Sequence, residues 1–256
     1  MDALIGYTGF VGSNLFSSLK GKNEIKTYNS KNISKIGKEV FDTLYISAIQ
    51  AKKWWANQNP DDDIRLIDNL LLNLKEVSAK NVVFISTVDV YQPPLDADED
   101  KVLDKNIHAY GANRLYAEER IKALYDNVHI IRLQGLVANN LSKNVIFDLK
   151  HKNMLATINP HSTLQWYPLE RLFKDISVVL ENNIELINFS VEPITTREII
   201  DIAPLTQQER NLTSTEPSTP VHYNVTSKYA PLFGGQNGYI VPATESLEAI
   251  SQYFAG

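Results

Sequence analysis

The chain has 256 residues, of which 43% are hydrophobic and 21% are charged, with a formal net charge of −5. These ordinary globular values exclude a disordered, collagen-like or coiled-coil protein, and the acidic balance disfavours a nucleic-acid partner. Cys is absent, which excludes disulfides, thiolate zinc sites and Cys nucleophiles. Apolar runs are too short to cross a bilayer and the first residues do not resemble a secretory signal, so we expect a cytoplasmic protein with no membrane partner.

Short apolar runs alternate with amphipathic stretches through the first half of the chain. This β-α-β alternation predicts an α/β fold with a doubly wound parallel sheet. The pattern becomes less regular after about residue 138, so we expect a core domain over 1–138 and a mixed region over 139–256. That second region would supply a small lobe and return some elements to the core. Strands are predicted at 3–6, 24–28, 43–47, 82–87 and 129–133, and helices at 10–20, 61–79 and 109–126.

A glycine-rich turn between the first strand and the first helix predicts a phosphate site. Gly6, Gly9 and Gly12 have the spacing G-x-x-G-x-x-G in the strand–turn–helix setting that a dinucleotide requires. The glycines permit a tight turn, close approach of a pyrophosphate and close packing of helix on strand, and the phosphates meet free N–H groups at the helix N-terminus. The alternative is a purely structural turn. The residues predicted to hold the cofactor here are Gly6, Thr8, Gly9, Phe10, Val11 and Gly12.

The end of the second strand favours NADP slightly over NAD. A carboxylate there would accept hydrogen bonds from a free 2′-hydroxyl, but this chain has Asn29, Ser30 and Lys31. Hydrogen-bond donors and a positive charge suit a 2′-phosphate, although a solvated loop lysine is an equally good interpretation of Lys31. Ala48, after the third strand, is small enough to let a dinucleotide lie across the sheet edge.

Three side chains form a candidate catalytic set. Thr87 ends the strand VVFIST, at the sheet edge where ligands bind in open parallel sheets. Tyr110 and Arg114 are four residues apart at the start of a predicted helix, so they share one helical face.

These pieces resemble an extended short-chain dehydrogenase/reductase of the NAD-dependent epimerase/dehydratase group. The matching segments are TGFVG at 8–12, FISTVDVY at 84–91 and YGANR at 110–114, in the expected order, and the resemblance covers about the first 140 residues. It implies a Rossmann-like domain, a bound NADP or NAD and a nucleotide-sugar substrate. It also implies a possible homodimer.

The resemblance assigns a role to each member of the set. Tyr110 would be the acid/base and Thr87 would hydrogen-bond the reacting oxygen. The family lysine, which lowers the tyrosine pKa and holds the nicotinamide ribose, is replaced by Arg114. Two interpretations follow: Arg114 substitutes with altered activity, or the protein is a degenerate cofactor sensor or scaffold.

The residues after Thr87 bear on the type of reaction. The 4,6-dehydratases of this family place Asp-Glu there, whereas this chain has Val88 and Asp89. An epimerase or a ketoreductase is therefore favoured over a dehydratase. Asp89, Asn144 and Gln165 are the candidate substrate residues. The His residues show no paired metal-ligand spacing, so we expect no metal.

Overall fold

The computed structural model describes residues 1–21, 24–104, 106–213, 215 and 217–256. The strands of this part of the chain are β1 Asp2–Ile5, β2 Ile25–Tyr28, β3 Val40–Ile46, β4 Ser78–Thr87, β5 Leu95–Ala97, β6 Val128–Leu133, β7 Gly135–Val137, β8 Thr163–Leu164, β9 Trp166–Pro168, β10 Leu186–Asn188, β11 Ile194–Thr195 and β12 Asn224–Val225. The α-helices are α1 Phe10–Leu19, α2 Lys53–Gln58, α3 Pro60–Leu74, α4 Ala109–Leu124, α5 Val145–His151, α6 Leu172–Glu181, α7 Thr196–Ile202, α8 Gln207–Leu212 and α9 Ala243–Ala255. No helix among them has the length and apolar character needed to cross a membrane.

A six-stranded sheet with the order β10-β6-β4-β3-β1-β2 forms the core, and all of its strand pairs are parallel. This confirms the predicted α/β fold with a central parallel sheet. Between β1 and β3 the order reverses, because the chain runs outward from β1 to β2 and then returns to the other side of β1. In sheets of this kind the crevice at such a reversal is where ligands bind.

Both faces of the sheet are buried. Ala3, Leu44 and Val82 point into a cluster that the apolar stripes of α3 and α4 complete. Their chain neighbours Leu4 and Val83 point to the opposite face and are equally buried. Burial on both faces explains why the strands appear as continuous apolar runs rather than as alternating ones.

The predicted boundary between α3 and β4 differs from the observed one. The sequence predicts a helix to residue 79 and a strand from residue 82, whereas α3 ends at Leu74 and β4 begins at Ser78. The mostly polar residues at 78–81 pair in register with the first residues of β3. Backbone hydrogen bonding to a neighbouring strand extends β4 beyond its apolar part, and hydrophobic pattern alone does not report that contact.

The chain packs as two compact units. The first consists of 1–92, 99–133 and 170–188 and contains the six-stranded sheet. The second consists of 93–98, 134–169 and 189–256. It contains three two-stranded sheets, which pair β11 with β8, β12 with β5 and β7 with β9. The sequence-based division at residue 138 stays a prediction.

A buried ion pair fixes α4 on the sheet. Glu118 accepts hydrogen bonds from Nε and Nη2 of Arg132 on β6, at 3.0 and 2.6 Å, and from Oγ of Ser86 on β4 at 2.5 Å. The remaining Nη1 of Arg132 donates to the hydroxyl of Tyr91 at 2.9 Å. Because Ser86 directly precedes Thr87, this network sets the position of α4 relative to the end of β4.

Removing Glu118 should therefore destabilise the first unit strongly. Loss of one partner leaves Arg132 buried without its counter-charge, so Glu118→Ala is expected to lower the free energy of unfolding by about 3–5 kcal/mol. Glu119→Ala, at an exposed position of the same helix, is the matched control and should change it by about 0.5 kcal/mol or less. Urea denaturation followed by circular dichroism measures both values, and equal effects would contradict this account.

Candidate active site

The glycine turn joins β1 to α1, and two of its glycines are required by backbone packing. Gly6 has a φ of +90°, and an ideal Cβ there would lie 2.4 Å from the carbonyl oxygen of Ser47 and 2.9 Å from Cα of Ala48. An ideal Cβ on Gly12 would lie 2.1 Å from the carbonyl oxygen of Gly6. Side chains at Gly6 and Gly12 would thus collide with the backbone at the end of β3 and of β1.

The middle glycine leaves the turn open. Gly9 and Thr8 are exposed, and an ideal Cβ on Gly9 would meet one described protein atom within 4 Å, the carbonyl oxygen of Gly6 at 3.3 Å. The space above Gly9 is therefore available to a ligand that must approach the backbone closely.

The first turn of α1 presents backbone donors beside this space. Helical hydrogen bonding begins with the N–H of Ser13, which donates to the carbonyl oxygen of Gly9 at 2.8 Å. The N–H groups of Phe10, Val11 and Gly12 precede that first bond, and the turn carries no acidic residue. Such a helix N-terminus suits phosphate oxygens, so the predicted residues fit a dinucleotide.

The end of β2 lies beside the same turn. Nδ2 of Asn29 donates to the hydroxyl of Tyr7 at 3.4 Å, and the N–H of Lys31 donates to Oδ1 of Asn29 at 2.9 Å. Ser30 and Lys31 are exposed. Sequence reasoning missed Tyr7, although its place between the first two glycines was a signal that could have found it.

The structure brings Thr87 and Tyr110 together. Thr87 is the last residue of β4, and its Oγ1 accepts a hydrogen bond from the N–H of Asp89 at 3.1 Å. Tyr110 lies in the first turn of α4, where its N–H donates to Oδ1 of Asn57 at 2.9 Å. Tyr110 is only 6% exposed, and a side-chain interaction with Thr87 acts to lower the pKa of its phenol.

Arg114 has a partner that sequence reasoning missed. Its Nη1 and Nη2 donate to the carboxylate of Asp63 at 2.6 and 3.3 Å, and Nη2 also donates to the carbonyl oxygen of Gln50 at 2.5 Å. Asn113 donates to the same carboxylate at 2.9 Å. The guanidinium carbon lies 4.3 Å from the centre of the Tyr110 ring. Arg114 is thus held over the tyrosine ring and paired with a carboxylate. Its guanidinium N–H groups are therefore far less available to a ribose than the sequence suggested.

The surroundings of the Tyr110 phenol favour its neutral form. Burial raises the pKa of Tyr110 above its ordinary value, and the Asp89 carboxylate raises it further. The charge of Arg114 and the hydrogen bonds to Thr87 and Arg114 act in the opposite direction without cancelling the rise. The cation beside the phenol therefore does not produce a phenolate at neutral pH.

Asp89 is part of a charged group next to the phenol. Nζ of Lys53, on α2, lies 2.7 Å from its Oδ1. His108 caps α4 by accepting the N–H of Gly111 on Nδ1 at 3.0 Å, and burial together with the charge of Lys53 lowers its pKa. Neither Lys53 nor His108 was predicted. The sequence signals for them were weak: Lys53 is a cation soon after a predicted strand, and His108 directly precedes a predicted helix.

The two remaining predicted substrate residues have structural roles within the second unit. Oδ1 of Asn144 caps α5 by accepting the N–H groups of Ile146 and Phe147. Gln165 is buried, and its amide donates to the carbonyl oxygens of Val191 and Val225. Both side chains are thus used by the fold. Within the described residues, no cluster of three potential ligands forms a candidate metal site.

A sequence model described as the NAD dependent epimerase/dehydratase family matches residues 3–156, which include the glycine turn, Thr87, Tyr110 and Arg114. The chain belongs to this family. No curated protein matches the chain significantly.

Solved structures with the same fold as this family member catalyse different reactions. An NAD-dependent NDP-hexosamine 5,6-dehydratase of tunicamycin biosynthesis has 15% identity and a TM-score of 0.77, over 100% of this chain and 98% of its own. The dTDP-4-dehydrorhamnose reductase of Bacillus anthracis, in complex with NADP, has 16% identity and a TM-score of 0.75, over 99% and 97%. The UDP-glucuronic acid 4-epimerase of Bacillus cereus, in complex with NAD, has 15% identity and a TM-score of 0.72, over 99% and 96%. At these identities the likeness establishes the fold alone.

Substitution of the outer glycine Gly12 should destabilise the protein more than substitution of the middle glycine Gly9. Gly12→Ala places a Cβ against backbone that cannot move aside, so it is expected to lower the free energy of unfolding by about 3 kcal/mol. Gly9→Ala has an ordinary φ of −78° and a single close contact of its Cβ, at 3.3 Å from the carbonyl oxygen of Gly6, and should cost about 1 kcal/mol. Denaturant titration of both variants measures the difference, and a Gly9 variant as unstable as the Gly12 variant would contradict the packing described.

Proposed function

We propose that the protein is an NAD(P)-dependent nucleotide-sugar epimerase or ketoreductase. The observation that carries this proposal is the placement of Thr87, the last residue of β4, beside the buried Tyr110 in the first turn of α4, where a side-chain interaction with Thr87 acts to lower the pKa of the phenol. A sugar oxygen placed there would receive a hydrogen bond from Thr87 and exchange a proton with Tyr110.

The glycine turn would hold the dinucleotide. Backbone donors of α1 would bind the pyrophosphate, and Asn29, Ser30 and Lys31 would face the adenosine ribose. When bound, the nicotinamide supplies or accepts the hydride. The solved relatives named above contain NADP in one case and NAD in another.

Asp89 and its neighbours favour an epimerase or a ketoreductase over a dehydratase. Elimination of water needs an acid and a base beside the hydride step, but Val88 is apolar and Asp89 is paired with Lys53. The reductase that contains NADP and the 4-epimerase that contains NAD are both named for nucleotide-sugar substrates, which supports that substrate class here.

A second candidate is a degenerate cofactor-binding sensor or scaffold. It is favoured by the ion pair between Asp63 and Arg114, because this pair engages the guanidinium that stands where the family has a lysine. The retained Thr87–Tyr110 contact argues for the enzyme, and the two candidates differ in whether turnover depends on Tyr110.

Tyr110→Phe should reduce turnover by about 10²–10⁴-fold, because it removes the proton donor, while cofactor affinity stays nearly unchanged. The assay follows oxidation of NADPH and of NADH with a 4-keto nucleotide sugar. Tyr116→Phe removes a hydroxyl from the same helix, where it donates to Asp68 on the surface, and should retain full activity. Cofactor binding without turnover in the unsubstituted protein would instead support the sensor.

Lys31→Ala tests the slight preference for NADP. Loss of a cation facing the 2′-phosphate is expected to weaken NADPH about tenfold and to leave NADH almost unchanged. Lys35→Ala, at another exposed position shortly after β2, is the control. Titration of cofactor fluorescence measures both affinities, and an equal loss for the two cofactors would show that Lys31 does not read the phosphate.

A further inference from the structure

Asp63 is a buried carboxylate that belongs to the active site through Arg114. Its side chain is 2% exposed and that of Arg114 is 4% exposed. Three consecutive aspartates follow Pro60 in the first turn of α3, and of these Asp63 is the one that is buried. The other two follow the ordinary rule that acidic residues favour the first turn of a helix. That rule does not account for the burial of Asp63 against the guanidinium of Arg114.

The pair changes the electrostatics at the phenol. An unpaired guanidinium 4.3 Å from the Tyr110 ring would strongly favour the phenolate. With the Asp63 carboxylate on the same guanidinium, the negative charge offsets part of the positive charge at the phenol, and the remaining effect of Arg114 lowers the pKa of Tyr110 less than burial raises it. The net charge at the phenol then depends on the other charged groups around it.

These other groups do not restore a net positive charge around the Tyr110 phenol. Asp89, in the turn after β4, raises the pKa of Tyr110. The cation nearest to Asp89 is Lys53 on α2, which is already bound to it. His108, at the start of α4, has a lowered pKa and is neutral near pH 7. The groups facing the phenol from α2, α3, α4 and the β4 end thus sum to a nearly neutral environment.

We propose that Asp63 is a positioning residue that offsets the charge of Arg114 and thereby favours the proton-donating form of Tyr110, which directs the site towards reduction of a carbonyl. This inference rests on the function proposed above and selects the ketoreductase within it. In that direction the carbonyl carbon receives a hydride from the reduced nicotinamide while its oxygen receives the Tyr110 proton. The C=O double bond becomes C–O–H, the nicotinamide is oxidised, and the phenolate recovers a proton from water.

An epimerase would need the opposite starting state. Its first half-reaction oxidises a sugar alcohol, so the phenolate must be present beforehand to accept the hydroxyl proton. The Asp63 carboxylate, paired with the guanidinium that lies over the tyrosine ring, disfavours that state. The same feature that obstructs oxidation leaves reduction unaffected, because reduction begins with the neutral phenol.

The test is a titration of Tyr110 in the cofactor-free protein. The difference in tyrosinate absorbance between a protein and its Tyr110→Phe derivative isolates this phenol. Asp63→Asn keeps the shape and a hydrogen-bond acceptor but leaves Arg114 without its counter-charge, so the midpoint should fall by about 1–3 pH units. Asp62→Asn, which affects a surface pair with Arg65, should not move it.

A double substitution protects the test against simple unfolding. Asp63→Asn combined with Arg114→Gln removes both charges and retains polar contacts, so its midpoint should return to within about 0.5 pH units of the unsubstituted protein. Circular dichroism verifies that each variant is folded. A midpoint unchanged by Asp63→Asn in a folded protein would overturn the inference, as would a double variant that titrates like the single one.

The reduction assay separates this inference from the proposed function. If the ketone is reduced, activity should decline at high pH as Tyr110 loses its proton, and in Asp63→Asn that decline should begin at lower pH by the same shift. Efficient epimerisation of a sugar alcohol by the unsubstituted protein at neutral pH would overturn the inference while upholding the broader function. Absence of any turnover would overturn the function, and the titration would still decide the role of Asp63.

Discussion

Helix α4 carries Tyr110, Arg114 and Glu118 at four-residue intervals. Two buried ion pairs hold that helix against its neighbours. Glu118 binds Arg132 on β6, and Arg114 binds Asp63 on α3. Buried ion pairs contribute little net stability, because desolvation offsets most of their attraction, but they are intolerant of displacement. They define where α4 lies on the sheet, and with it where the phenol of Tyr110 meets Thr87.

The second constraint is the close packing of the glycine turn. Gly6 approaches the end of β3 and Gly12 approaches Gly6, so the first turn of α1 lies at the reversal of strand order. That reversal leaves a crevice between the ends of β1 and β3. Gly9 is the one member of the triplet that packing does not require, which is consistent with its proposed contact to a ligand.

The fold by itself does not select a reaction. Relatives with the same fold include a dehydratase, a reductase and an epimerase, so selection must lie in the side chains around the reacting oxygen. Here the distinctive feature is the set of charges near Tyr110. Arginine in place of lysine appears to a sequence comparison as a retained cation, but Asp63 turns that cation into half of a neutral pair.

Much of the fold and part of the site could be predicted from sequence. Alternation of apolar runs with amphipathic stretches indicated the parallel sheet, because strands buried on both faces must be apolar throughout. The glycine spacing and the Thr87 and Tyr110 positions followed from local motifs. Strand limits were predicted less accurately, since the mostly polar residues at 78–81 join β4 by pairing with β3.

The sequence alone determined the features that depend on short-range order: the glycine turn, the end of β4 at Thr87 and the helix that carries Tyr110 in its first turn. Only the tertiary structure decided which carboxylate neutralises Arg114, because Asp63 lies 51 residues away on another helix and looks like its exposed neighbours in sequence. It also decided that Asn144 and Gln165 serve the fold of the second unit. The physical reason is that burial and charge pairing are properties of contacts between distant segments, and no local pattern of residues encodes them.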